Sequence, residues 1–272
     1  MSQRIIDASF EKGPLKASRD GALLQVLGVM TPDGGISRDM RRKFQQVNHV
    51  ASLFLPLLEQ VSAGPVQIVD ANCGRSYLGF LMAQLLRNLG KQPVLFGYDR
   101  DPVAIGRCRD HARKLDISAC EFLTGEVDAL DLPEQVHLFL SLHGCDTATD
   151  QALLAAVRCK AQHIAVAPCC HRELRPLLGP AHEFMVRDGI VADEHAALFT
   201  DALRADWLRS KGWSTDVIEF VPLEHSARNR MIRGRLTGRS DATAAAARVT
   251  AAAATLSAVP LLLRESANQP AI

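Results

Sequence analysis

The chain has no apolar run long enough to cross a bilayer without charges, which points to a soluble protein. Its first residues, Met1-Ser2-Gln3-Arg4-Ile5-Ile6-Asp7, lack an apolar signal core followed by a small-residue cleavage site, so the expected compartment is the cytoplasm. Disulfide-framework spacing is missing as well. The seven cysteines include an adjacent pair, Cys169-Cys170, and fit thiols in a reducing compartment. Excess charge is nearly absent, because 31 Lys and Arg stand against 30 Asp and Glu, for a formal net charge of +1. Nothing pulls the whole chain toward nucleic acid or membrane, and any such surface has to be local. No internal repeat is visible. Apolar residues are plentiful at 47%, enough for the core of one α/β domain with extensions.

One stretch organises the rest. Val66-Gln67-Ile68-Val69 reads as a buried parallel strand that ends in Asp70, passes the small-residue turn Ala71-Asn72-Cys73-Gly74, and enters a helix with Leu78, Leu81, Met82, Leu85 and Leu89 on one face. Such a turn presents backbone N–H groups and a helix N-terminus at the carboxyl end of a strand, where open α/β sheets bind ligands. A dinucleotide turn requires three glycines, and here those positions are Asn72, Gly74 and Tyr77. Tyrosine at the third position denies the helix a close approach, and Asp70 repels phosphate while attracting an amine. The ligand expected on those grounds is S-adenosylmethionine, which carries a cationic amine and sulfonium and no phosphate. The alternative is an ordinary strand–helix turn.

Before this stretch, residues 1–37 read as an N-terminal cap, and 38 to about 60 as an amphipathic helix that Pro56 kinks or divides. After it, Gly90 closes the helix and a second strand ends at Asp99, 25 residues past Gly74. That is near the roughly 20-residue separation at which an acid reaches ribose hydroxyls. Asp101 and Pro102 supply the next helix with its cap and first turn, so Asp99 is expected to be free for the ligand. A third strand over 119–123 precedes Glu126, the expected partner of an adenine amine, with Asp128 as fallback.

A fourth strand over 136–142 runs into His143-Gly144-Cys145-Asp146, and Thr147 with Asp150 resembles a capping box. The fifth strand over 163–167 ends in Pro168-Cys169-Cys170-His171. Residues 173–190 then read as a lid or substrate loop, followed by a helix and a closing antiparallel hairpin near 214–222 and 230–236. The Ala-rich segment 238–272 is expected to be a flexible or weakly helical tail.

Taken together, these blocks resemble the class I S-adenosylmethionine-dependent methyltransferases. Within them, Arg42-Lys43-Phe44-Gln45-Gln46-Val47-Asn48-His49, the turn from Asp70 to Leu78, Leu142-His143-Gly144-Cys145-Asp146, Ala167-Pro168-Cys169-Cys170-His171 and Glu224-His225-Ser226-Ala227-Arg228-Asn229 look like the successive blocks of one methyltransferase-domain family. The resemblance implies a Rossmann-like α/β domain over 38–237 with a mostly parallel sheet. It also implies a cofactor site of Asp70, Asn72, Gly74, Tyr77, Asp99, Glu126 and His143. Asn72 departs from the usual glycine but tolerates a left-handed backbone.

For the chemistry, His143, Asp146, Cys169 and Cys170 are the candidate catalytic residues. Positioning of the acceptor by His143 or Asp146 is favoured over a Cys169 or Cys170 nucleophile, and either over a metal site, so no metal is expected. The acceptor is expected to be RNA, gripped by Arg228, Arg230, Arg233, Arg235 and Arg239, with a protein or small-molecule acceptor, or a non-catalytic binding module, as alternatives. Those arginines could equally pair with acids such as Glu219 and Glu224.

Overall fold

A computed structural model describes residues 8–61, 64–127, 131–142, 144–221, 229–238 and 241–267. Among them are seven strands in a mixed, mostly parallel α/β arrangement with antiparallel C-terminal strands, and helices follow β1, β2, β4 and β5. No helix among them is long and apolar enough to cross a membrane. The chain divides into two compact units, Met1–Thr124 and Gly125–Ile272.

The first unit carries α1 (Gly21–Val26), α2 (Arg38–Gln60), β1 (Pro65–Ala71), α3 (Tyr77–Asn88), β2 (Gln92–Asp99), α4 (Pro102–Lys114) and β3 (Cys120–Thr124). Its strands lie parallel in the order β3-β2-β1, with Asp70 beside Gly97 and Asp99 beside Thr124. Ser37 caps α2 by accepting from the Met40 N–H at 3.3 Å, and the helix continues through Pro56 without dividing. Gly90, at φ 72°, ends α3 as expected of a left-handed closing residue. The Asp101 carboxylate accepts from the Val103 N–H at 2.8 Å with Pro102 in the first turn, again as expected. The buried face of α3 includes Leu78, Leu81, Met82 and Leu85, whereas Leu89 is only half-buried.

The second unit carries β4 (Leu138–Ser141), α5 (Thr147–Arg158), β5 (His163–Val166), α6 (Glu183–Val186), α7 (Gly189–Ser210), β6 (Trp213–Glu219), β7 (Arg230–Leu236), α8 (Ala242–Ala253) and α9 (Leu261–Ala267). Its order is β4-β5-β7-β6, with β4 and β5 parallel and β7 antiparallel to both neighbours. Trp207, Trp213 and Arg204 are among its largest fully buried side chains.

One expectation fails in this unit. Thr147 and Asp150 form no capping box: Asp146 precedes α5 at φ 56° with no side-chain cap bond, and the buried Asp150 carboxylate instead takes both Nε and Nη2 of Arg204, at 2.7 and 2.9 Å. The segment expected to be flexible or weakly helical is helical over Ala242–Ala253 and Leu261–Ala267. α8 packs on α7, α9 packs on α5, Ala245 and Leu262 are buried, and Trp207 Nε1 donates to Ser266 Oγ at 3.0 Å. Alanine has the highest helix propensity and the smallest side chain, so an Ala-rich segment forms a helix that can lie close against a neighbour. The tail also holds the loop expected to be a lid. Leu261 N–H donates to Glu173 Oε1 at 2.7 Å, Ser257 N–H donates to the Leu177 carbonyl at 2.8 Å, Leu178 bridges Leu256, and His182 Nε2 lies 2.8 Å from Thr255 Oγ1.

Candidate functional site

In the first unit the site is the turn from β1 to α3. Asn72, Gly74 and Ser76 all have left-handed backbone, at φ 52°, 55° and 52°. Two of the three carry side chains, and such conformations persist only where surrounding bonds hold them, commonly at ligand sites. The bonds are present. Asp70 is buried and its Oδ2 accepts from Ser76 Oγ at 2.7 Å and from the Gly79 N–H at 3.3 Å. Burial pushes the Asp70 carboxyl up to about 7, against the opposing effect of those two bonds.

Asp99 Oδ2 accepts from the Gly74 N–H at 2.7 Å, and its Oδ1 accepts from the Asp101 N–H at 2.9 Å. The carboxylate is therefore not free, as the sequence suggested, but clamps the turn to the start of α4. An ionised carboxylate has about four acceptor sites, so these bonds leave capacity for two hydroxyls.

Tyr77 is not the point of close helix approach. Its hydroxyl accepts from Arg75 Nη1 at 3.2 Å and its ring stacks on His111 with centroids 6.0 Å apart. The tight position is Gly79, two residues on, where a Cβ would meet Ser76 Oγ at 2.5 Å and Asp70 Oδ2 at 2.8 Å. Sequence reasoning missed Gly79 and Ser76. A glycine inside an otherwise strong helix was the available signal.

In the second unit three thiols converge. Cys145, in the link from β4 to α5, has its sulfur 2.7 Å from that of Cys169, which lies 3.7 Å from that of Cys170. Burial, then the neighbouring Cys145 and Cys170 sulfurs, push the Cys169 thiol up to about 12. A thiol so disposed is protonated near neutrality and is a poor nucleophile. Cys169, Cys170 and His171 line a cavity of about 780 Å³ together with Arg172, Arg175 and Ala192.

Asp146 Oδ1 accepts from the Arg172 and Glu173 N–H groups at 2.8 and 3.0 Å. Through these bonds Asp146 shapes the loop after β5. Glu126 is exposed and makes no side-chain hydrogen bond or ion pair among the described residues. His143, Asp128, Glu224, Arg228 and Arg239 lie outside the described residues.

Sequence reasoning also missed a buried polar relay. His171 Nε2 lies 2.7 Å from Asp201 Oδ1, and Asp201 Oδ2 accepts from Arg230 Nε at 2.6 Å. Burial raises the Asp201 carboxyl, and the bonds from His171 and Arg230 outweigh it, leaving the group below its ordinary value. His171 Nδ1 finds no partner among the described residues. Asp201 and Arg204 both sit on the buried side of α7 with Ala197 and Leu208, so charged residues recurring at the apolar helical spacing were the signal.

Two of the closing arginines are engaged among the described residues. Arg230 binds Asp201, and Arg233 stands beside Asp216 in register, with Nη2 to Oδ2 at 3.8 Å. Arg235 is exposed.

Residues 42–176 match the family described as "Methyltransferase domain". The match takes in the β1–α3 turn and the three cysteines and ends before α7. Two curated fruit-fly proteins, each named "Glutathione S-transferase C-terminal domain-containing protein homolog", are 27% identical over 138 residues in Drosophila melanogaster and 26% identical over 140 residues in Drosophila pseudoobscura pseudoobscura. Each match takes in 51% of this chain but 22% of the relative. Among solved structures, magnesium protoporphyrin IX methyltransferase from Synechocystis with bound SAH aligns over 81% of this chain and 94% of its own, at 14% identity and a TM-score of 0.47. A SAM-dependent methyltransferase from Aquifex aeolicus aligns over 79% of this chain and 98% of its own, at 12% identity and a TM-score of 0.47.

Proposed function

We propose that the chain is an S-adenosylmethionine-dependent methyltransferase whose cofactor is seated on the β1–α3 turn. The observation that carries this reading is the run of left-handed residues Asn72, Gly74 and Ser76, held from both sides by the Asp70 and Asp99 carboxylates. The methyltransferase-domain match over the same residues supports it. In this reading Asp99 would hold the ribose hydroxyls, the turn around Gly74 would hold the methionine moiety, and Glu126 would hold the adenine amine. Asp70 acts mainly by fixing Ser76 and Gly79.

S-adenosylmethionine held there would supply an electrophilic methyl group to the acceptor and would leave as S-adenosylhomocysteine. Most of the acceleration in such a transfer comes from holding the two partners in line. His143 is the candidate for orienting the acceptor or taking its proton. A Cys169 nucleophile is disfavoured by its raised thiol pKa. RNA is the proposed acceptor class, with Arg235 as the exposed contact on β7.

Calorimetry of the whole chain with S-adenosylmethionine and S-adenosylhomocysteine, followed by transfer of a labelled methyl group into fractionated RNA, protein and small molecules, tests the reading. Binding of both ligands with label in one fraction supports it; no binding by the folded protein overturns it.

A further inference from the structure

The three sulfurs of Cys145, Cys169 and Cys170 lie within 4.8 Å of one another, although Cys145 reaches the cluster from a different strand end than the other two. All three are free thiols. We propose that they bind a single Zn²⁺, with the fourth coordination position on the side of the cavity.

Geometry carries the proposal. Zinc–thiolate bonds of about 2.3 Å in a tetrahedron set sulfurs about 3.8 Å apart. Cys169 and Cys170 already stand at 3.7 Å, so the adjacent pair is no obstacle to tetrahedral binding. The Cys145 and Cys169 sulfurs, at 2.7 Å, have to separate by about 1 Å to reach the same spacing. Cys145 is exposed and lies in a short link between β4 and α5, the part of the cluster best able to give.

The donor set selects the metal. Soft thiolates in a tetrahedral arrangement favour zinc over the hard oxygen-seeking cations. Binding converts three thiols to thiolates and releases three protons, leaving a site of net charge −1. Arg172, exposed on the same cavity lining as Cys169 and Cys170, offsets that charge. Three protein ligands and one open position are the pattern of zinc that takes a further donor, a water or a thiol or imidazole of an incoming molecule, rather than of a closed structural site. The proposal does not depend on the methyl-transfer reading.

The experiment titrates the whole reduced chain, stripped of metal with a chelator, with Co²⁺ as a spectroscopic stand-in and then with Zn²⁺. The expected result is one equivalent of Co²⁺ bound with thiolate-to-cobalt charge transfer and tetrahedral visible bands, displaced by Zn²⁺. Cys145→Ser, Cys169→Ser and Cys170→Ser should each weaken binding by about tenfold or more, while Cys120→Ser, at the start of β3, should leave it unchanged. Should a cluster variant fail to fold, alkylation of the wild-type protein decides the question: Zn²⁺ should protect Cys145, Cys169 and Cys170 together and leave Cys120 at its original rate. Absence of the charge-transfer band in folded reduced protein overturns the proposal. So does equal alkylation of the three thiols with and without Zn²⁺, or a Cys145–Cys169 disulfide in protein that takes up no metal after reduction.

Discussion

The Asp99 carboxylate and the Gly74 N–H, 25 residues apart in the chain, meet at 2.7 Å and join the end of β2 to the turn after β1. Replacing Asp99 by alanine removes the clamp and the proposed ribose acceptor together. S-adenosylmethionine should then bind about 1.5–3 kcal/mol more weakly, the scale of hydrogen bonds to a charged group. Calorimetry on the folded Asp99→Ala variant checks it, and unchanged affinity removes Asp99 from the site.

Gly79 and Gly106 should respond in opposite directions to the same change. A methyl at Gly79 runs into Ser76 Oγ and Asp70 Oδ2, whereas one at Gly106 in α4 meets nothing within 4 Å. Gly79→Ala should cost about 1–3 kcal/mol through overpacking. Gly106→Ala should add about 0.5–1 kcal/mol of helix stability. Urea unfolding measures both.

Asp70 makes stability depend on pH. Its carboxyl is raised from 3.8 to about 7 in the folded chain, so the folded state holds a proton that the unfolded state has given up. The contribution is complete below about 3.8 and is lost as pH rises through 7, with a steepest slope of about 1.4 kcal/mol per pH unit. Asp70→Asn is neutral throughout and should flatten the profile between about pH 4 and pH 7. Equal slopes in the two proteins would show that Asp70 does not titrate there.

Arg204 and Asp150 are both buried and bonded through two nitrogens. Arg204→Met strands the Asp150 carboxylate and should destabilise the chain by about 3–5 kcal/mol. Adding Asp150→Leu should recover most of that loss, because the stranded charge is what costs. Failure of the double variant to recover in chemical denaturation would place the cost in the Arg204 bond to the Asp146 carbonyl instead.

On β7, the Arg233→Gln, Arg235→Gln double variant separates phosphate binding from structural pairing. If these side chains hold RNA, the slope of log affinity against log salt should flatten by about 0.7 for each phosphate no longer neutralised. A normally folded variant with the wild-type slope and rate moves the acceptor to protein or small molecule.

What the sequence disclosed was local. The β1–α3 turn, the Gly90 stop, the Asp101-Pro102 start of α4 and β7 over Arg230–Leu236 depend on residues within a few positions of one another, and the structure forms them as read. Asp150 misled for the same reason. Three residues after Thr147 it looks like a capping acid, but its partner, Arg204, is 54 positions away. Asp99 was judged free because Asp101 satisfied the helix; the Gly74 N–H that takes its second oxygen is visible only once β1 and β2 are side by side. The packing of the tail was illegible because low complexity resembles a solvated segment until α7 and α5 supply faces to pack on.

The ties between the tail and the loop after β5 make the rim of the cavity and the C-terminal segment one mechanical piece. Residues 173–182, which include the rim residues Arg175 and Pro176, are stitched at Glu173, Leu177, Leu178 and His182 to residues 255–261. Widening the mouth therefore requires those stitches to part or the tail to travel with the rim. Anything that grips or trims the last two helices acts as a lever on an entrance whose lining is encoded about 80 residues upstream, without touching that lining.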